Sequence, residues 1–79
     1  MPSEIPFDTE IDACGLKCPL PILRTKKALA AMESAQVLKV RATDASAVSD
    51  FAAFARQTGN TLLASEETDG VFVFYFRRR

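Results

Sequence analysis

The run Asp12-Ala13-Cys14-Gly15-Leu16-Lys17-Cys18-Pro19-Leu20-Pro21 decides how the rest of the chain is read. A cysteine stands directly before two prolines spaced one residue apart, and an amphipathic helical pattern follows. Proline is tolerated in the first turn of a helix, where its missing N–H has no partner in any case. Pro19 is therefore predicted as the first helical residue, with Cys18 at the N-cap. Pro19 and Pro21 restrict the backbone and stiffen the helix start. Gly15 breaks the chain before the helix and allows a tight strand-to-helix turn. The first helical turn presents unsatisfied N–H groups and the positive end of the dipole. A thiol placed there is expected to ionise more easily, and the thiolate is the nucleophile. Cys18 is thus read as a reactive, exposed sulfur. Lys17 and Arg24 are candidates for adding positive potential around it, while Asp12 and Asp44 read as capping or loop residues near the site.

Outward from this run the pattern alternates between two periods. Phe7, Thr9 and Ile11 alternate with acids and predict a first strand ending near Ala13. From Pro19 to about Met32, Ile22, Thr25, Leu29 and Met32 keep helical spacing, and Arg24, Lys26 and Lys27 face outward. Gln36 to Thr43 alternates cleanly, with Leu38, Val40 and Ala42 on one side and Lys39 and Arg41 on the other. Asp44 is a suitable N-cap for a second helix running to about Gln57. Val48, Phe51, Ala52 and Ala55 form its apolar stripe, with Phe54 beside it. Gly59 closes this helix. Thr61 to Glu66 reads as a third strand, Asp69-Gly70 as a tight turn, and Val71 to Phe76 as a fourth strand, apolar on both faces.

The predicted order is β-α-β-α-β-β. Right-handed crossovers put both helices on one face, so the fold class is an α/β (α+β) two-layer sandwich on a four-stranded mixed sheet. The doubly apolar last strand should be central. Its outward aromatics either offer a self-association surface or pack on each other and on the N-terminal arm, residues 1–6.

Composition removes several chemistries. The 79 residues suit a single domain, 1–79, with a small core that buries roughly 60% of the unfolded surface. A deep enclosed active site is not expected, so the chemistry belongs at the surface or in a groove completed by a partner. There is no histidine, which removes Ser-His and Cys-His catalysis and mixed zinc sites. Two cysteines do not make a four-ligand zinc site, and no metal or cofactor is expected. Nor would one bridge replace a core in a secreted scaffold. The acidic N-terminus has no apolar segment of a signal peptide, and Val71 to Phe76 is too short to span a bilayer, so the expected place is the cytoplasm, without a membrane. Net charge is zero, but residues 17–41 hold Lys17, Arg24, Lys26, Lys27, Lys39 and Arg41 against Glu33 alone, and the chain ends Arg77-Arg78-Arg79. Beside the ordinary reading as solvated faces, this allows a basic face around the Cys18 helix, turned to an acidic protein or RNA.

Gly15-Leu16-Lys17-Cys18-Pro19-Leu20-Pro21 resembles the C-P-x-P signature of the TusA/SirA-like sulfur-carrier family. Asp12 sits where that family has an acid before the motif. Ala42-Thr43-Asp44 resembles a second signature, and Glu67-Thr68-Asp69-Gly70 also fits. The resemblance covers about Phe7 to Arg78. It implies a two-layer α/β sandwich, in agreement with the element order. It also implies persulfide relay: a pyridoxal-phosphate cysteine desulfurase passes sulfane sulfur to Cys18, and the persulfide moves on to an acceptor protein or enzyme. Members serve tRNA thiolation, molybdenum-cofactor maturation or sulfur metabolism. Those tied to tRNA thiolation often carry an acid between the prolines; Leu20 stands there in this chain and leaves the acceptor open. The same nucleophile would also carry selenium, so the motif leaves sulfur or selenium as the cargo open.

Cys14 lies outside the family pattern. It is read either as apolar packing at a strand end or as a thiol that resolves the Cys18 persulfide by forming a disulfide. Two other classes remain: a thiol-disulfide or regulatory module using both cysteines, and an RNA-binding module using the basic segment. The cysteine spacing is not C-x-x-C. Direct nucleic-acid binding is disfavoured by zero net charge and by aromatics that do not interleave with the bases. A monomer or weak homodimer is expected.

Overall fold

The computed structural model describes residues 5–79. Along the chain run β1 (Thr9–Ala13), α1 (Leu20–Ala30), β2 (Val37–Ala42), α2 (Ala47–Thr58), β3 (Thr61–Thr68) and β4 (Val71–Arg77). This is the expected β-α-β-α-β-β order. The strands form one mixed sheet in the order β1-β2-β4-β3. β1 runs parallel to β2, with Ile11 beside Val40. β4 is antiparallel to both neighbours, with Phe74 between Val40 and Ser65. The doubly apolar strand is thus central, as its composition requires, and the more polar β1 and β3 form the edges.

Alternation along the strands sends Leu38, Val40 and Ala42 of β2 and Phe74 and Phe76 of β4 into the core, where both helices cover them. Phe51 of α2 lies 4.5 Å from the Phe74 ring and 5.4 Å from the Phe76 ring, and Phe54 meets Phe76 edge-on at 5.8 Å. Each such pair adds about 0.5–1.5 kcal/mol beyond area burial. The stripe of α2 is therefore Ala47-Phe51-Phe54, all buried, and Val48 is 43% exposed. The buried stripe is displaced by one residue from the expected one at this end: Ala47 joins the core cluster and Val48 faces out.

The starts of both helices also differ from expectation. α1 begins at Leu20 with Pro19 as its N-cap, and Pro21 is buried in the first turn. Cys18 therefore stands one residue outside the cap rather than at it; the Cys18-Pro19 peptide is cis. α1 ends at Ala30, but Met32 remains buried because the amides of Ala31 and Met32 tighten back onto the carbonyls of Ala28 and Leu29, at 3.2 and 3.1 Å. Ser46, not Asp44, is the N-cap of α2. Asp44 instead opens a turn before the helix: its carboxylate accepts the Ser46 amide at 3.2 Å and the Ser46 hydroxyl at 3.0 Å.

Gly15 has φ +81°, which lets the chain turn sharply from β1 toward α1, as expected. Asp69 and Gly70 take φ +52° and +80°, the left-handed pair that a two-residue hairpin requires. β3 continues past the predicted Glu66 to Thr68, because this tight turn keeps the two strands paired up to it.

On the uncovered face, Tyr75 is buried and shares a hollow with Ile5, Pro6, Phe7 and Lys39. Of the two expectations for the outward aromatics, packing under the arm describes Tyr75. Residues 1–4 of that arm lie outside the described residues.

Candidate functional site

The C-terminal ends of the parallel strands β1 and β2 lie side by side, Ala13 paired with Ala42. The loops that leave these ends, toward α1 and α2, must therefore run next to each other. Side chains of the second loop fix the first. Thr43 Oγ1 accepts the Gly15 amide at 2.8 Å, and Asp44 Oδ2 accepts the Cys18 amide at 2.7 Å. Asp44 thus serves both loops at once, since it also holds Ser46. Residues 15–18 and 43–46 line a shallow notch of about 540 Å³ at the surface. Cys18 is exposed there as a free thiol.

The electrostatics of this thiol reverse the expectation. Cys18 titrates above the ordinary cysteine range, first because of a hydrogen bond to the Asp50 carboxylate, then through desolvation and the negative charges of Asp50 and Asp44. A contact with Ser46 works weakly the other way. The reason lies in the third dimension: one step outside the cap, the sulfur meets the first turn of α2 and its acid. Lys17 and Arg24 do not offset this. Lys17 acts on Asp44 and Arg24 on Asp12.

Asp44 itself is held below the usual carboxylate range, chiefly by the amides of Ser46 and Cys18. Asp12 is lowered in the same way by the Cys14 amide, which donates to its Oδ1 at 2.9 Å. Cys14 is half-buried, and its thiol is pushed up by a hydrogen bond to Asp12. It does not line the notch.

The basic segment does not form one face. Lys39 and Arg41 project from the uncovered side of the sheet, where Arg41 pairs with Glu10 at 3.3 Å and Asp12 at 3.2 Å. Lys39 lies over the Phe7 ring at 5.2 Å. Arg24, Lys26 and Lys27 stay exposed on α1. In the terminal arginine run, Arg78 donates from Nε to the Leu29 carbonyl at 2.7 Å, near the end of α1. Cations at helix C-termini answer the dipole there, so Arg78 has a structural explanation.

The sequence-derived residues Gly15, Lys17, Cys18 and Asp44 come together at the notch. Pro19 and Pro21 form the helix start behind it, whereas Asp12, Cys14 and Arg24 belong to a neighbouring group beside β1. Thr43, Ser46 and Asp50 were not among the candidate site residues. Short polar side chains after a strand, and an acid in the next first helical turn, are the signal for them, but it is a common one. Among the described residues, no three metal-ligating side chains gather, and no helix is long and apolar enough to cross a membrane.

The chain is similar to known proteins over nearly its whole length. A family model described as Sulfurtransferase TusA matches residues 9–78. The sulfur carrier protein TusA of Allochromatium vinosum is 60% identical over 72 residues, 91% of this chain and 95% of that protein. Its namesake from Pseudomonas entomophila is 32% identical, over 98% of this chain and 96% of the relative. The crystal structure of a SirA-like protein from Desulfitobacterium hafniense superposes with a TM-score of 0.79 at 30% identity, covering 89% of this chain and 96% of that one.

Proposed function

The chain belongs to the TusA sulfurtransferase family, and from that premise we propose that it is a sulfur carrier that holds sulfane sulfur as a persulfide on Cys18. The observation that carries this reading is the geometry of the notch. A free thiol is exposed on a loop whose amide is pinned at 2.7 Å by Asp44. An exposed sulfur on a fixed backbone suits hand-over between proteins, because neither partner has to enter a cavity.

The donor is a pyridoxal-phosphate cysteine desulfurase carrying its own persulfide. The Cys18 sulfur attacks the outer sulfur of R–S–SH. A new S–S bond forms on Cys18 as the donor's S–S bond breaks, and the Cys18 proton ends on the departing donor thiolate. The products are R–SH and Cys18–S–SH, with no net oxidation. The same exchange, run toward an acceptor thiol, unloads the carrier. Asp44 and Thr43 hold the loop, Gly15 permits its turn, and Pro19 and Pro21 keep the helix start behind it stiff. Leu20, 47% exposed beside Cys18, is a contact for the recipient protein. The site of action is the cytoplasm, where thiols stay reduced.

Incubation with a cysteine desulfurase and cysteine, followed by intact-mass measurement, tests this. Wild type should gain the mass of one sulfur, and Cys18→Ser should gain none. Equal gain by both proteins, or none by wild type with any desulfurase, would remove the relay.

A further inference from the structure

At the end of the sheet away from Cys18, the last residue of β4, Arg77, pairs with Val37 at the start of β2, whereas the notch lies beyond Ala42 at its end. Five steps of extended chain separate these ends, about 17 Å. Here the C-terminal ends of α1 and α2 enclose a hollow of about 330 Å³ floored by the buried Leu29 and Phe54. Lys26, Arg78 and Arg79 also line it. No carboxylate side chain does, and among the described residues none of the three cations has an ion-pair partner. Hydrogen bonds fix the segment that carries the arginines. Arg78 donates from Nε to the Leu29 carbonyl at 2.7 Å and from Nη1 to the Arg79 oxygen at 3.0 Å. Its amide donates to the Gln36 carbonyl at 2.8 Å. The Arg79 amide donates to Asn60 Oδ1 at 2.8 Å, and Asn60 Nδ2 donates to Thr58 Oγ1 at 2.9 Å. The Arg79 side chain crosses Gly59, where a Cβ would stand 3.0 Å from its Cδ.

We propose that this hollow binds a small phosphorylated ligand, with the phosphoryl group held by Lys26, Arg78 and Arg79. The charges decide for an anion. Two helix C-termini place about half a negative charge each beside the hollow, which answers one cation, and Arg78 is that one through Leu29. A carboxylate following Arg79 would answer a second. At least one full positive charge stays uncompensated in a concave, partly apolar setting, where it attracts an anion more strongly than in open water. The free donors decide for phosphate. Arg78 Nη2, the Arg79 guanidinium, the Lys26 ammonium and the second hydrogen of Asn60 Nδ2 make no hydrogen bond among the described residues. Together they can fill the three oxygens of a phosphoryl group, and guanidinium forks match that geometry. The volume exceeds that of a bare anion and lies within the roughly 300–1,000 Å³ of small-molecule sites, so the apolar floor receives the body of the ligand. A nucleic acid is disfavoured because Lys39 and Arg41 leave by the uncovered side of the sheet and pair with Glu10 and Asp12, which leaves no basic track running on from the hollow.

The test is a titration of the full chain, followed by amide NMR shifts, with inorganic phosphate, pyrophosphate, adenosine monophosphate and a short single-stranded RNA as separate probes. At least one of the three small probes should give saturable shifts confined to the amides of Lys26, Ala30, Thr58, Asn60 and Arg79, and which of them binds tightest tells free phosphate from a nucleotide. Sodium chloride at matched ionic strength should not reproduce them. Lys26→Gln together with Arg79→Gln should weaken binding by about tenfold or more. Both side chains are exposed, and Lys26→Gln alone, which touches none of the hydrogen bonds named above, should still weaken binding about threefold. Three results would overturn the site: no saturable shift with any small probe, the same shifts with sodium chloride, or undiminished binding in both variants. RNA that binds these amides more tightly than the nucleotide would overturn the small-ligand reading in favour of a nucleic-acid surface. Sulfur loading of Cys18 is measured separately by intact mass, so the relay and this site stand or fall independently.

Discussion

Cys14 and Cys18 stand at the two ends of one loop, and each thiol meets a carboxylate, but the carboxylates come from different distances. Cys14 is answered by Asp12, two residues back on the same strand. Cys18 is answered by Asp44 and Asp50, which follow it by more than twenty residues and reach it because β1 and β2 are parallel neighbours. The first arrangement is a local turn that survives wherever the strand end survives. The second exists only when the sheet and both helices are assembled. The difference teaches that the surroundings of the Cys18 sulfur are set by the fold, and those of the Cys14 sulfur by its own segment.

The most direct way to break the comparison is to exchange the thiols. Cys18→Ser is expected to abolish sulfur loading, and Cys14→Ser to leave it intact, as read by intact mass after desulfurase treatment. A longer-lived persulfide in Cys14→Ser would instead support the resolving reading, and loss of loading the paired-thiol reading. Next come the carboxylates. Asp44→Ala frees the Cys18 amide and Ser46 together and should slow loading by about tenfold or more, since misplacing a reacting group is costly. Asp12→Ala should stay within about twofold of wild type in the same time course, because it serves only the local turn.

Acid titration sharpens the same contrast through stability. Asp12 and Asp44 both titrate below the usual carboxylate range in the folded chain. Their contribution is therefore fully present above the unfolded value of about 3.9 and is lost as pH falls through the lower folded values. Unfolding followed by circular dichroism should show this decline. Asp44→Asn should flatten it for the tie between the two loops, and Asp12→Asn only for the strand end.

The smallest effects lie in the loop backbone. Gly15→Ala meets no atom within 4 Å of the new Cβ, so its cost is conformational strain alone, about 1–2 kcal/mol in urea unfolding. Thr43→Val removes the acceptor of the Gly15 amide and should cost about 1 kcal/mol. A cost near zero for Thr43→Val would mean that water replaces the hydroxyl there.

Much of this molecule is legible residue by residue. Period two in Leu38-Lys39-Val40-Arg41-Ala42 marks β2 and its buried side, and Asp69-Gly70 marks the hairpin. The apolar run in β4 marks a central strand. What is not legible is offset by one or two residues, or depends on a neighbour. Cys18 falls outside the helix cap because the chain starts α1 at Leu20, and proline tolerance alone does not distinguish adjacent starting positions. Asp44 turns away from capping α2 because its carboxylate is taken by the Cys18 amide and by Ser46. The segment 17–41 looks basic as a string, but Lys39 and Arg41 leave by the opposite side of the sheet and meet Glu10 and Asp12.

The sequence by itself determined the element order, the central place of β4 and the placing of a cysteine just before the first helix, because periodicity, turn residues and the Cys-Pro-Leu-Pro run act over short range. Only the tertiary structure decided the state of that sulfur. A helix start argues for an easily ionised thiol, and the assembled fold sets Asp50 and Asp44 against it. Charges act through space, and the distances between these groups exist only once the two strand ends lie side by side.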